Sequence, residues 1–297
     1  MSQTQSQNIS TPKAWISATR PKTLPAAVAP VVVGSALAYA HRDFMALPAV
    51  AALAVALFLQ ISANLANDYF DYKKGIDTDD RTGPRRVTQS GLIPPQQVKL
   101  AMVIMVVLAA LTGMYLIIIG GWPVVLIGIA CILAALAYSG GPYPLASHGL
   151  GDLFVFVFFG MVAVCGTYYV QALRLTPMVP VMGSMVGLMI TAILVVNNLR
   201  DIETDQRVGK RTLAVVVGIR ATKLEYSLLH ASAYILPAAF WVFDLVNVFI
   251  LLPLLTLPWA IQLNRTIWNN PDGAMLNQTL AGTARLALIF SLLFSMG

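Results

Sequence analysis

The stretch VKLAMVIMVVLAALTGMYLIIIGGWPVVLIGIACILAALAY, residues 98–138, decides the architecture. Its only Lys, Arg, Asp or Glu is Lys99, at the very start. The hydrocarbon core of a bilayer takes about 20 apolar residues as a helix. This stretch holds two such lengths, divided by Gly120-Gly121-Trp122-Pro123, a tight-turn composition. Lipid offers no partner for backbone N–H and C=O groups, so the two runs predict a pair of membrane helices joined by a short turn.

Working outward, the same reading finds apolar runs near 24–41, 46–66, 98–119, 122–138, 151–171, 177–197, 226–243, 245–263 and 280–297. The chain is 58% hydrophobic and 11% charged, whereas a soluble domain carries about 25% charged residues. The expected fold is therefore all-α and polytopic, about nine transmembrane helices, with the lipid bilayer as its surroundings. Residues 1–22 read as an N-terminal cytoplasmic segment, its first ten residues Ser/Gln/Asn-rich and disordered, and 23–297 as a single transmembrane domain. The run Leu24–Ala40 mimics a signal peptide, but the further apolar spans make it a first membrane helix. Cys131 and Cys165 sit in apolar runs and read as small core residues, and the three histidines show no metal-ligand spacing.

Charge position sets the orientation. With the N-terminus inside, seventeen Lys and Arg fall on inside segments and only Arg42 and Arg174 outside. This bias accounts for the net charge of +6 without a nucleic-acid partner. Both long polar loops, 67–97 and 198–225, are then cytoplasmic.

The acids cluster at the starts of those loops. Eight of the 13 Asp and Glu are Asp68, Asp71, Asp77, Asp79, Asp80, Asp201, Glu203 and Asp205. The first cluster opens Asn67-Asp68-Tyr69-Phe70-Asp71, the second Asn197-Asn198-Leu199-Arg200-Asp201 and on to Asp205. Both contain Asn-x-x-x-Asp at the end of an apolar run, offset by 130 residues, the mark of an internal repeat in parallel orientation. Residues i and i+4 share a helix face. Asn67 and Asp71 thus point together, as do Asn197, Asp201 and Asp205. Crowded carboxylates call for cations, and Mg²⁺ takes carboxylate oxygens while completing its shell with substrate phosphates. The interleaved Lys73, Lys74, Arg81, Arg207, Lys210 and Arg211 suit a diphosphate. Charges such as Asp79, Asp80 and Arg85 fit an ordinary solvated loop, but Asp68, Asp71 and Asp201 adjoin apolar spans, where ionisable residues are costly. Two further features lie on the same side. Tyr138-Ser139-Gly140-Gly141-Pro142-Tyr143-Pro144 is a turn that can roof a pocket, and Asp152 stands at the start of the next run as cap or pocket acid. Trp15, Phe154, Phe156, Phe158 and Phe159 read as lipid-facing or core.

These motifs resemble the UbiA superfamily of intramembrane prenyltransferases. The likeness rests on Arg20-Pro21-Lys22-Thr23-Leu24-Pro25, Asn64 to Asp71 with Lys74-Gly75-x-Asp77, Tyr138 to Pro142 with Leu150-Gly151-Asp152, and Asn197 to Asp205 with Gly209-Lys210-Arg211-Thr212-Leu213. The flanking residues resemble the branch that prenylates 1,4-dihydroxy-2-naphthoate. The resemblance implies helices bundled around a central cavity open to lipid, in a bacterial inner membrane. Asn67, Asp68, Asp71, Asn197, Asp201 and Asp205 would hold Mg²⁺ and the diphosphate, with Asp68, Asp71, Asp201 and Asp205 as metal ligands. Lys73, Lys74, Arg81, Arg207 and Lys210 are diphosphate candidates; Arg20, Lys22, Tyr138 and Asp152 are acceptor candidates. The implied substrates are a polyprenyl diphosphate and 1,4-dihydroxy-2-naphthoate, the products a demethylmenaquinone, CO₂ and diphosphate. The sequence departs from the family at Ser139–Gly149, which lacks the basic residue of some relatives, and at Gly75, four residues after Asp71, where Asp77 can substitute. Two alternatives stay open: another aromatic acceptor such as 4-hydroxybenzoate, and a secondary transporter of an anionic solute.

Overall fold

A computed structural model describes residues 11–76, 83, 86–269 and 271–297. Among these residues the secondary structure is helical, with one isolated bridge between His148 and Arg211. The expected disorder of residues 1–10 lies outside the described residues, as do Asp77, Asp79, Asp80, Arg81 and Arg85.

Helix α1, Thr11–Thr19, lies against the bundle with Ala14 and Ala18 buried. A short 3-10 turn leads into α2, Pro25–Ala40, bent by 50° from the preceding pair. Helices α3, Ala46–Lys73, and α4, Pro95–Gly120, pack along each other, and α5 runs Trp122–Ala137. The α4–α5 turn needs Gly121 at φ 68, a left-handed conformation open to glycine, and Pro123 then starts α5 where no N–H partner is required.

The second half repeats this order. Helix α6, Gly151–Val155, passes through a π-helical stretch, Phe156–Val162, into α7, Ala163–Ala172. Next come α8, Met178–Arg207, and α9, Leu213–Val242, which breaks its helical backbone at Gly218. A 3-10 segment, Val248–Thr256, continues into α10, Leu257–Trp268, and α11, Gly273–Phe294, follows. Adding 130 to the bounds of α2, α3 and α5 gives close to those of α6–α7, α8 and the 248–268 segment, while α4 maps to 225–250, overlapping α9 with a shift of about ten residues. The internal repeat expected from the motifs is thus a repeat of four elements, with α11 added.

Every predicted apolar run falls largely in a helix. Among the described residues, five helices are long and apolar enough to cross a bilayer alone, or six if the bent N-terminal pair is one span. The count falls short of nine for local reasons. Helix α5 has 16 residues, α9 carries Arg220, Lys223 and Glu225 near its start, and α11 carries Asn277, Gln278 and Arg285. The chain is an integral membrane protein with an all-α bundle.

Helix α8 is the centre. Met182, Met185, Val186, Met189, Val195 and Val196 are buried in the main core, against α2, α7, α9 and α11. Small residues allow the close crossing of α8 with the π-helical stretch: a Cβ built on Gly160 would lie 2.6 Å from Gly187 Cα. Helix α4 contrasts with α8, exposing Leu100, Ile104, Val107, Leu111 and Ile118 outward, as a lipid-facing helix does.

Candidate active site

A cavity of about 1010 Å³ lies between α2, α3, α4, α5, the α6–α7 segment and α8. On α3 its wall runs from Asn67 back to Ala52, which spans roughly 22 Å at 1.5 Å per residue. The end near the C-termini of α3 and α8 is polar; the rest is apolar, lined by residues such as Ala56, Gly113, Gly128 and Ile132. Met114 and Ile129 line the cavity and are more than half exposed.

The polar end joins the two motifs. Asn67 and Asp68 reach it from α3, Asn197 and Asp201 from α8. Asp68 is buried and accepts hydrogen bonds from the backbone N–H groups of Val87 (3.2 Å) and Thr88 (3.1 Å). Asp71, one turn on, is also buried and pairs with Arg86 at 3.6 Å. The segment 86–88 thus docks on both acids of the first motif. In the second motif Arg200 donates to both oxygens of Asp201, at 2.8 and 2.6 Å, to Asn197 Oδ1 at 2.9 Å, and to Asn277 of α11 at 2.9 Å. Asp205 lies beside Lys210 at 3.6 Å.

The loop after α5 closes the end as the sequence suggested. Tyr138 lines the cavity, and the Ser139 hydroxyl donates to Asn67 Oδ1. Lys74 Nζ donates to the Ser139 carbonyl at 2.8 Å, and Arg211 N–H to the Ser147 carbonyl at 3.2 Å. The loop is therefore fastened to the ends of both motifs. Partial burial lowers the pKa of Lys74; nearby Asp71 opposes this and nearby Lys210 adds to it. A Cβ on Gly151 would lie 3.3 Å from the Tyr138 hydroxyl, so that hydroxyl packs on the start of α6, next to buried Asp152.

Arg20 and Lys22 also line the cavity. Arg20 holds a left-handed backbone (φ 49), rare for a residue with a Cβ and met most at working sites. Asn64 fixes this segment through the Thr19 carbonyl (2.9 Å) and Thr23 hydroxyl (3.1 Å), and Gln60 also donates to Thr23 (3.2 Å).

The structure separates the candidates. Asn67, Asp68, Asn197, Asp201, Lys210, Arg20, Lys22 and Tyr138 line one cavity. Asp71 and Asp205 sit just behind its wall in ion pairs, and Asp152 is buried behind it. Lys73 is exposed, and Arg207 faces outward in a 3.7 Å pair with Glu203; neither reaches the cavity. Helical periodicity explains this, because 207 and 203 lie on the face of α8 opposite the buried 201–205 stripe. The aromatic expectation needs correction: Phe154, Phe158 and Phe159 line the cavity, with Phe154 and Phe158 stacked at 5.7 Å. Phe154 and Phe158 are i,i+4 neighbours that share a helix face, and packing turns that face toward the cavity. Cys131 likewise lines the cavity rather than the core. Sequence reasoning missed Arg86, Arg200, Ser139 and Asn277. Arg200 alone gave a local signal, a basic residue inside an apolar-to-acidic helix end.

Among the described residues no three His, Cys, Asp or Glu side chains form a ready cage for a metal. The donor set nevertheless fits Mg²⁺: carboxylates from two helices converge on one polar end, and Asp71 Oδ2 is buried without a hydrogen bond. Mg²⁺ is commonly held by one or two carboxylates plus phosphate oxygens and water, not by an all-protein cage.

Comparison with known proteins gives a consistent picture. Residues 27–291 match the UbiA prenyltransferase family. The chain is 40% identical to the 1,4-dihydroxy-2-naphthoate octaprenyltransferase of Escherichia coli (strain K12), over 98% of this chain and 96% of that one. It is 39% identical to the enzyme of the same name from Mycobacterium tuberculosis (strain ATCC 25618 / H37Rv), over 94% of each. In fold it is similar to a UbiA homolog from Archaeoglobus fulgidus bound to DMAPP and Mg²⁺, with TM-score 0.65, 15% identity and coverage of 95% and 99%. It is also similar to the apo structure of a UbiA homolog from Aeropyrum pernix K1, with TM-score 0.67, 16% identity and coverage of 93% and 94%.

Proposed function

The chain belongs to the UbiA prenyltransferase family, and from that premise we propose that it transfers a polyprenyl chain from its diphosphate to 1,4-dihydroxy-2-naphthoate, releasing diphosphate and CO₂. The observation that carries this reading is the cavity itself: two Asn/Asp motifs and the cations Lys210, Arg20 and Lys22 at one end, with roughly 22 Å of apolar wall beyond. A simple cation site needs no basic residues and no long greasy slot. The acceptor is taken from the relatives' names and their near-complete overlap with this chain.

Asn67 and Asn197 each have Oδ1 engaged, by Ser139 and Arg200, which leaves their amide N–H groups to donate to phosphate oxygens. Asp68, Asp71, Asp201 and Asp205 would hold Mg²⁺. When bound, the metal supplies positive charge that stabilises the departing diphosphate. Lys210 adds fixed positive charge at the same end, preorganised by Asp205. The allylic carbon–oxygen bond breaks with its electron pair going to the diphosphate; the ring carbon that bears the carboxylate attacks the resulting allylic cation, and that carboxylate leaves as CO₂, its C–C electron pair restoring the aromatic ring. Phe154 and Phe158 offer π faces that suit such a cation. Arg20 and Lys22 lie where they can receive the acceptor's carboxylate, with Tyr138 and Asp152 across the cavity end as positioning groups. The positive-inside split supports a bacterial inner membrane with this end cytoplasmic.

The test incubates membranes with Mg²⁺, labelled polyprenyl diphosphate and either 1,4-dihydroxy-2-naphthoate or 4-hydroxybenzoate. We expect prenylated product and CO₂ from the naphthoate alone, lost with EDTA and restored by excess Mg²⁺. Product from 4-hydroxybenzoate alone would reassign the acceptor; product from neither would overturn the enzymatic reading.

A further inference from the structure

Asp71 and Asp201 occupy the same place in the repeat, 130 residues apart, and each is buried against an arginine. Their arginines are not repeat equivalents. Arg200 comes from the adjacent residue on α8, Arg86 from a loop fifteen residues beyond Asp71. Both guanidiniums line the cavity, yet their side chains are only 3% and 8% exposed. The two halves have thus arrived at one arrangement by different routes.

That arrangement has a chemical consequence. A buried carboxylate needs a cation, and here an arginine provides it. A divalent metal would bind the same oxygens, so arginine and metal compete. A guanidinium that loses its carboxylate stays inside the cavity and needs another anion. Its planar fork of five donors matches phosphate as well as carboxylate. We propose that Arg200 is a counter-ion exchanger: it holds the aspartate of its motif, Asp201, until the ligands enter, then yields that carboxylate to a divalent cation and takes phosphate oxygens of the diphosphate. Metal alone leaves the Arg200 guanidinium with only the neutral side chains of Asn197 and Asn277, and diphosphate alone leaves the carboxylate unrelieved, so the two ligands bind cooperatively. This inference rests on the prenyl diphosphate reading above and adds the residue that couples its two ligands.

The experiment uses the full chain purified in detergent. Mn²⁺ binding is read by electron paramagnetic resonance of free Mn²⁺, with and without farnesyl thiodiphosphate, a slowly reacting analogue. Thiodiphosphate affinity is read from thermal-unfolding midpoints. Wild type should bind Mn²⁺ at least about tenfold tighter with the analogue present, within the usual range of site coupling. Arg200→Gln should bind Mn²⁺ alone several-fold tighter than wild type, bind the analogue about tenfold more weakly, and lose most of the coupling. Arg200→Lys keeps a buried cation without the fork; it should show a smaller shift of the same sign, and it replaces the Gln variant if that does not fold. A purely structural arginine would weaken both ligands together or leave both unchanged, and either result overturns the exchange. Wild type that binds Mn²⁺ but not the analogue would instead sink the prenyl diphosphate reading, and this inference with it.

Discussion

The two ends that meet in the cavity present similar groups on unlike supports. At the C-terminus of α8, Arg200 organises Asn197 and Asp201 within one helical turn, and Lys210 reaches Asp205 from five residues away. At the C-terminus of α3, by contrast, Asp68 and Asp71 are held by residues 86–88, which arrive only after a long loop. Helix α8 is also the most buried long helix, with 72% of its apolar window inside, against 28% for α3. The second half-site is thus built into the core; the first is completed by a docked loop. The docked segment is itself anchored, with Val87 and Ile93 buried beside Leu65 and Ala66 of α3.

The sharpest way to break this contrast is to remove the paired acids. Asp201→Ala and Asp71→Ala should each lower prenyl transfer by roughly 10²–10³-fold or more, the scale of losing a preorganised electrostatic group. Their stabilities should differ. Asp201→Ala strands a buried arginine and should cost about 3–5 kcal/mol, seen as a clear fall in the unfolding midpoint in detergent. Asp71→Ala should cost distinctly less, because Arg86 approaches it only at 3.6 Å, whereas Arg200 makes two close hydrogen bonds to Asp201. Equal stability losses would remove the distinction between a core-built and a loop-built half.

A smaller effect is expected where the asparagines are oriented. Ser139→Ala removes the hydroxyl that fixes the Asn67 amide; a net hydrogen bond of about 1 kcal/mol translates to a roughly fivefold rise in KM for the prenyl diphosphate, with little change in stability. An unchanged KM would detach Asn67 from the diphosphate. The smallest effects separate cations that the sequence grouped together. Lys210→Gln should raise that KM roughly tenfold, as loss of a partly buried charge at the cavity end, whereas Arg207→Gln, at a surface pair, should change it by less than about twofold. Steady-state kinetics on the purified pair would show it, and the reverse order would mean that the polar end of the cavity is misassigned.

Much of this was legible before any fold was known. Apolar length gave the helices, though only five or six of them among the described residues are long and apolar enough to cross a bilayer. The 130-residue offset gave the repeat, and i,i+4 spacing placed Asn67 with Asp71 and Asn197 with Asp201. What could not be read were contacts between segments that only packing brings together. Arg86 looks like any loop arginine until residues 86–88 settle on Asp68 and Asp71. Phe154 and Phe158 look lipid-facing until packing turns their shared face to the cavity, and Gly160 looks like an idle glycine until its backbone meets Gly187.

The sequence by itself determined which segments form apolar helices, that two Asn/Asp motifs end two of them, and which side chains share a face within each helix. These follow from one-dimensional quantities, hydrophobic length and helical period. Only the tertiary structure decided which helix faces turn toward one another, so that both motifs open on one cavity while Arg207 and Lys73 point away from it. The physical reason is that a helix's period fixes angles about its own axis, while its rotation against its neighbours is set by packing, here by the small-residue crossing at Gly160 and Gly187 and by the loops that dock on buried acids.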